Sequence, residues 1–399
     1  MLSFAVTVFL SAFLLFQIQP IVAKMILPWF GGSSSVWSIC LVFFQAELLL
    51  GYLYVHLLHE SLSPRRQNLV HGALLLLSLA TLPVIASPAA QGSGFENPTW
   101  NVLIVLAATV GMPYLLLSTT GPLMQAWYAR SFNSLMPYRL YALSNLASMV
   151  ALLSYPVLVE PYFPVRNQGL IWSVGYALFV VACLGSAWQS WQGVASERER
   201  TASPPASTPR PPWRECLLWV GLAMTASILL LAITRHLTQD VAPVPFLWVL
   251  PLSIYLLSFI LCFDAPRYYY RPGFLCALPV AFVALDQVVD NRGMSVPALV
   301  ALLSVSLFVF CMVCHGELVR RRPPVRHLTL FYLMLSIGGA LGGSFVGLLA
   351  PVLFNAYFEL PIGLFLCGAL VIIVLWRELK PMWRWLALLA LRGCGIRLG

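Results

Sequence analysis

The sequence predicts an all-α polytopic membrane protein, with about twelve transmembrane helices arranged six plus six and both termini in the cytoplasm. Three observations carry that prediction. The 399-residue chain is 60% hydrophobic and only 9% charged, with a mean hydropathy of +0.85, whereas soluble domains are near half apolar and a quarter charged. Apolar runs of about 15 to 25 residues recur along its whole length, each able to cross a bilayer as a helix with some tilt or local thinning. The basic residues, finally, crowd into alternate connections. Lipid leaves backbone groups to be satisfied internally, so only helices or closed barrels span it, and continuous apolar runs exclude the alternation of a barrel.

In the first half, spans are predicted over residues 2–22, 36–58, 69–85, 102–124, 138–159 and 169–188. In the second they fall over 216–234, 246–263, 274–289, 296–313, 328–354 and 362–376. The first is read as a span and not a cleaved signal: no basic residue precedes it, its apolar run is too long, and no small-residue cleavage pattern follows. Of the 23 basic residues, only Lys24, Arg166, Arg235 and Arg292 fall in odd-numbered connections. The others, among them Arg65, Arg66, Arg130, Arg139, Arg267 and Arg271, fall in even connections or the tail. That bias puts the even connections in the cytoplasm. It also accounts for the net charge of +9 through lipid head groups, with no nucleic acid implied. The nine cysteines, mostly within spans, show no disulfide framework.

Four regions follow. Residues 1–188 form a first six-helix half and 215–377 a second. Between them, residues 189–214 contain "ASERERTASPPASTPRPP", whose proline, serine and mixed charge describe a flexible cytoplasmic linker. Residues 378–399, with Trp383, Arg384 and Trp385, read as an interfacial tail. Six spans on each side of a central cytoplasmic loop is the ordinary layout of major-facilitator-type transporters, though any twelve-span chain has a middle.

Two hairpins concentrate the residues that are expensive in lipid. "FQIQPIVAKMILPWFGGSSSVW" opens the first half, with Gln19, Lys24, Trp37 and two prolines. "ITRHLTQDVAPVPFLWVLPL" opens the second, with Arg235, His236, Asp240, Trp248 and further prolines. Polar, broken segments at corresponding places in two halves point to a transporter's central site; the competing reading is a pair of surface hairpins with interfacial aromatics. Glu47, midway along the second span in "FFQAELLLGYLYVH", is ionisable at a depth where charge is costly. With Gln45 beside it, Glu47 could carry a proton, face a cationic substrate, or serve as a protonated structural glutamate. Asn145 is read as interhelical glue, and Asp286 and Asp290 as solvated rim charges.

"CMVCH", Cys311 to His315, matches the C-x-x-C-H pattern of covalent haem attachment. It closes a span on the cytoplasmic side, where c-type haem is not attached, so no cofactor is expected. His56, His59, His71, His315 and His327 gather near cytoplasmic helix ends. A metal cluster there is conceivable, but capping or interfacial roles explain them and no metal site is assigned. "SIGGALGGSFVG" gives small-x-x-x-small faces for close helix approach; lacking a preceding strand or a lysine, it is no nucleotide loop.

Five ordered blocks carry a family resemblance: "FLLFQIQPIVAKMILPWFGGSSSVW", "LSTTGPLMQAWYA", "YRLYALSNLASMVALLSYPVLVEP", "HLTQDVAPVPFLWVLPLSIYLLSFILCF" and "CHGELVRRRPPVRHLTLFYLMLSIGGALGG". Together they resemble the membrane portion of bacterial fused major-facilitator/spermidine synthase-like proteins, over nearly the whole chain to about Trp376. The resemblance implies a multipass inner-membrane domain joined to a synthase domain of Rossmann type. After Trp376 only "RELKPMWRWLALLALRGCGIRLG" remains, too short for such a domain, so aminopropyl transfer is not expected.

The leading expectation is therefore a transporter-like protein of the inner membrane, embedded in the lipid bilayer. Its substrate would be a small organic cation such as a polyamine, contacted by Gln19, Lys24, Trp37, Gln45, Glu47, Arg235, His236, Asp240 and Trp248, with acids and aromatics as the chemical match. The alternative is a non-transporting scaffold that anchors a separate cytoplasmic synthase-like partner.

Overall fold

The structure, a computed structural model, describes residues 2–30, 34–85, 98–132, 138–198, 209–240, 246–290, 294–354 and 358–376. The centre of the expected linker and the expected tail lie outside them.

Among the described residues the chain is helical, without strands. The first half comprises α1 (Leu2–Phe30), α2 (Ser34–Ser61), α3 (Pro64–Ser78), α4 (Pro98–Leu106), α5 (Met112–Phe132), α6 (Tyr138–Ser154) and α7 (Val165–Arg198). The second comprises α8 (Trp213–Asp240), α9 (Phe246–Asp264), α10 (Arg271–Asp290), α11 (Val296–Arg320), α12 (Leu328–Ser344), α13 (Ala350–Leu353) and α14 (Glu359–Leu375). A wide π-turn, Ala107–Gly111, joins α4 to α5 in one rod, and Phe345–Leu349 joins α12 to α13 in the same way. Among the described residues twelve rods result, one for each expected span. The chain is an all-α multipass membrane protein.

The wide turns have a local cause. Proline lacks the N–H that would bond four residues back, and its ring crowds that carbonyl. Pro113 and Pro351 each stand four residues after a position within a π-turn, at Thr109 and Gly347; a third turn, Tyr155–Val159 after α6, contains Pro156. Adding a residue to the turn relieves the clash while the rod continues.

α3 is displaced along the chain from its expected span, and α7 runs past its expected end at residue 188 to Arg198. α3 begins at Pro64, with the extended Ser63 before it and proline at the first helical position, where a missing N–H costs nothing. It stops at Ser78, short of the bound expected at residue 85, and passes through a short 3-10 turn, Leu79–Thr81, ahead of Pro83. At 15 residues it is roughly 22 Å long.

The chain divides into two compact units. Unit 1 is Met1–Pro211 with Pro323–Leu333, and unit 2 is Pro212–Arg322 with Met334–Gly399. In unit 1, α1 runs against α5, α6 and α7, and its inner face supplies Phe4, Val8, Ile18 and Ile26 to a core with Tyr114, Trp127 and Phe179. Lipid drives helices together weakly, so polar contacts between helices matter. Thr7 and Ser186 hydroxyls meet at 3.0 Å, Ser11 bonds the Leu117 carbonyl, Gln17 reaches Ala151 and Ser154, and Trp172 donates to the Leu14 carbonyl. Asn145, expected to bridge helices, instead donates to Tyr141 one turn back on its own helix, satisfying its amide locally.

In unit 2, α8 lies against α9, α11 and α14, with Leu229, Ile233, Leu307 and Phe310 in the core. The glycine run of α12 acts through two positions. A β-carbon on Gly338 would come within 2.5 Å of the Val220 carbonyl oxygen, and one on Gly342 within 2.6 Å of that of Met224. The two backbones touch there, and only glycine permits it.

Candidate functional site

Glu47 sits on α2, one helical turn before Gly51. A β-carbon on Gly51 would fall 1.9 Å from Ser118 Oγ of α5, so glycine lets α2 close onto that helix. The approach brings the Glu47 carboxylate against the wide turn: its Oε1 is 3.7 Å from where a β-carbon of Gly111 would stand. The other oxygen, Oε2, is buried with no hydrogen-bond partner among the described residues. One turn beyond Gly111, the Tyr114 hydroxyl accepts from Gln19 Nε2 of α1 at 3.0 Å, and its ring lies tilted at 43° to that of Phe44, with centroids 4.8 Å apart. Because Gln19 donates, the phenol keeps its own proton to offer elsewhere. Three helices of unit 1 thus place around one wide turn an amide, a phenol and a carboxylate whose Oε2 has no partner among the described residues. Gln45 is half-buried on α2.

Lys24 is held elsewhere. Its ammonium pairs with Glu160, just past the Tyr155–Val159 turn, and lies 5.7 Å from the Tyr155 ring. In unit 2, Arg235 pairs at 2.5 Å with Glu359 at the start of α14, with half-buried His236 beside it in sequence. The side chains of Trp37, Asp240 and Trp248 lie outside the described residues. Of the expected contact residues, unit 1 gathers Gln19 and Glu47 around Tyr114 and pairs Lys24 with Glu160, while unit 2 pairs Arg235 with Glu359; neither acid was among the expected contacts.

"CMVCH" and the "GE" after it form a structural lock at the end of α11. The Ser258 hydroxyl donates its one proton to the Tyr255 carbonyl at 2.7 Å, so its oxygen accepts the Nδ1 proton of His315 at 2.8 Å. Phe259 stacks on the imidazole at 3.6 Å between centroids. Glu317 accepts from Arg271 Nε at 2.6 Å and from the Tyr269 hydroxyl at 3.0 Å, clamping the α9–α10 connection to α11. Burial, and secondarily the neighbouring carboxylate, push the Tyr269 phenol well above its usual range. Three further histidines serve similarly local ends. His56 faces Thr329 at 3.2 Å, His59 meets Arg130 at 3.5 Å, and buried His71 lies 3.4 Å from the Tyr54 hydroxyl. Among the described residues no three His, Cys, Asp or Glu side chains are grouped to hold a metal ion.

Solved structures with the same arrangement of helices decide the fold. The human organic anion transporter MFSD10 (TETRAN) superposes with a TM-score of 0.58 at 14% identity, over 93% of this chain and 98% of its own. The proton:xylose symporter XylE, bound to 6-bromo-6-deoxy-D-glucose, gives 0.57 at 13% identity, over 94% and 95%. The chain has the major facilitator fold. A bacterial homologue of the iron transporter ferroportin, in its outward-facing state, gives 0.53 at 14% identity, over 93% and 97%. No family model matches the sequence, and no curated protein does. The likeness supports the major-facilitator part of the family resemblance; nothing found supports the spermidine synthase-like part.

The major facilitator fold is built from repeats, and two repeated features of this chain were missed in the sequence. Lys24 and Arg235 are each the twenty-third residue of their half's first helix, and each pairs with an acid near the start of that half's last helix, Glu160 ahead of α7 and Glu359 at the first residue of α14. "PVLVEPYF", from Pro156, and "PVLFNAYF", from Pro351, share Pro-Val-Leu and Tyr-Phe at identical spacing. That internal repeat marks the two neighbourhoods but does not align the acids: Glu160 is its fifth residue, where the second copy has Asn355, and Glu359 follows the second copy directly.

Proposed function

We propose that the chain is a secondary transporter of the bacterial inner membrane, moving a small organic cation through a site that includes Gln19, Glu47 and Tyr114. The observation that carries this reading is the Glu47 Oε2 atom, buried beside a wide turn without a donor among the described residues. A carboxylate cannot stay charged there uncompensated, so it must hold a proton or meet a cation from the pathway. Phe44 and Tyr114 supply aromatic surface suited to an ammonium group. The neighbours in fold are described with an organic anion, a sugar and iron, so the fold leaves the substrate open and the site argues for it. In this reading Lys24 and Arg235 brace their bundles, and residues 189–214 link the two halves on the cytoplasmic side.

Polyamines are the first substrates to test. Purified protein in liposomes is expected to take up labelled spermidine or putrescine, and Glu47→Gln to abolish that uptake. Uptake indifferent to the change removes Glu47 from the mechanism. No uptake of any cation, together with copurification of a synthase-like enzyme in mild detergent, replaces transport by the scaffold reading.

A further inference from the structure

In unit 1, α3 and α7 meet along a seam that the proposed transport site does not use. A β-carbon on Gly72 of α3 would touch Leu184 of α7 at 3.3 Å, and Asn68 Nδ2 donates to the Ala187 carbonyl at 2.9 Å. Beside the seam each helix turns an apolar stripe outward, with Leu69 and Leu76 on α3, and Val181 and Trp188 on α7. Each stripe has a gap. Ala73 is exposed on α3, and on α7 a β-carbon added to exposed Gly185 would meet nothing within 4 Å.

Above the gaps stand Arg65 and Arg66, both exposed in the first turn of α3, which has no acidic residue. The Arg65 guanidinium lies 5.9 Å from the Trp191 ring of α7, and among the described residues neither arginine has a carboxylate partner. These two cations belong to the cytoplasmic face by the charge bias of the connections.

We propose that this seam binds one anionic phospholipid, its phosphate held by Arg65 and Arg66 and an acyl chain laid over Ala73 and Gly185. α3 is roughly 22 Å long against a hydrocarbon core of about 30 Å, so a head group is drawn inward to the arginines. Stacking on Trp191 holds one guanidinium at interfacial depth, poised for paired hydrogen bonds to phosphate oxygens. A zwitterionic lipid offers the same phosphate but brings an ammonium toward two uncompensated cations, which disfavours it. Anionic lipids also enrich the leaflet in which these arginines stand.

Native mass spectrometry of the full chain in detergent, titrated with phosphatidylglycerol or phosphatidylcholine of identical acyl chains, tests the site. A preference of about tenfold for phosphatidylglycerol is expected, lost in Arg65→Gln/Arg66→Gln and kept in the charge-matched control Arg320→Gln/Arg326→Gln, two exposed arginines at the end of α11 and in the short turn after it. Gly185→Leu, for which there is room, should weaken phosphatidylglycerol binding severalfold without altering charge. Equal binding of the two lipids, or equal losses in the two double variants, reduces the effect to general electrostatics and overturns the proposal. So does unaltered binding by Gly185→Leu, or full competition by glycerol 1-phosphate at the same concentration, which would mark a site for a free phosphate ester.

Discussion

The ring of Tyr269 covers Gly316 so closely that a β-carbon on that glycine would come within 2.5 Å of two ring atoms. Tyr269 is fixed in turn by its bond to Glu317, so the ring cannot simply swing away. Gly316→Ala therefore overfills the contact and is expected to lower stability by about 1–3 kcal/mol. Thermal unfolding in detergent measures it. Pairing the change with Tyr269→Leu should recover part of the loss, because the two residues share one contact.

The same lock predicts unequal effects at Arg271 and Glu317. Glu317 is 2% exposed, so Arg271→Ala strands a buried carboxylate and is expected to cost about 3–5 kcal/mol. Replacing both by leucine removes charge and partner together and should cost clearly less than Arg271→Ala. A double variant as unstable as that single one would show that the pair itself, and not the stranded charge, sets the penalty.

Tyr269 also gives an alkaline signature. Its phenol is raised in the folded chain, by burial first and by Glu317 second. The unfolded phenol therefore ionises first, near its ordinary pKa of about 10. Stability from this group is complete below that pH and is lost as pH rises above it. Stability measured from pH 8 to 11 should fall less steeply for Tyr269→Phe than for the parent.

The helices could be read from sequence because lipid leaves so few choices: an apolar run of sufficient length must become a helix. All twelve rods follow from that, and α3 was mis-bounded because its first turns, with Arg65, Arg66, Gln67 and Asn68, have no apolar run to find. The site was less legible. Glu47 stood out as a lone acid in a span, and Gln19 as an amide beside a proline. Their common neighbour Tyr114 did not, because a tyrosine in a greasy run looks like packing until a wide turn aims it. That turn depends on Pro113, a signal that was present but unused. The histidines stayed ambiguous in the sequence, since spacing cannot distinguish a metal ligand from a side chain bonded to Ser258 or Thr329.

The two matched ion pairs should differ in strength. Lys24 and Glu160 are 34% and 39% exposed, and a pair so wet contributes about 0–1 kcal/mol. Glu359 is only 3% exposed, so Arg235→Ala leaves an acid in a poorly solvated place and is expected to cost about 3 kcal/mol or more. Lys24→Ala should be nearly neutral in the same unfolding assay. Equal penalties would mean that the Lys24 pair is desolvated in the bilayer, with its surroundings as important as its exposure in the protein.

Glu47 should show stability and function pulling apart. A carboxylate gripped by a cation loses about 3–5 kcal/mol of folding stability when its partner or charge is removed. Glu47 Oε2 has no donor among the described residues, so its neutral isostere forfeits no such grip. Glu47→Gln is therefore expected to stay within about 1 kcal/mol of the parent, or to exceed it. Substrate should separate the two proteins: at one hundred times its dissociation constant a ligand stabilises the folded state by about 2.7 kcal/mol, seen in the parent and lost in Glu47→Gln. A variant that unfolds several kcal/mol more easily without substrate would reveal a resident cation on Glu47 and make it a structural residue. A variant that is stable but still stabilised by polyamine would move the contact to other residues of the site.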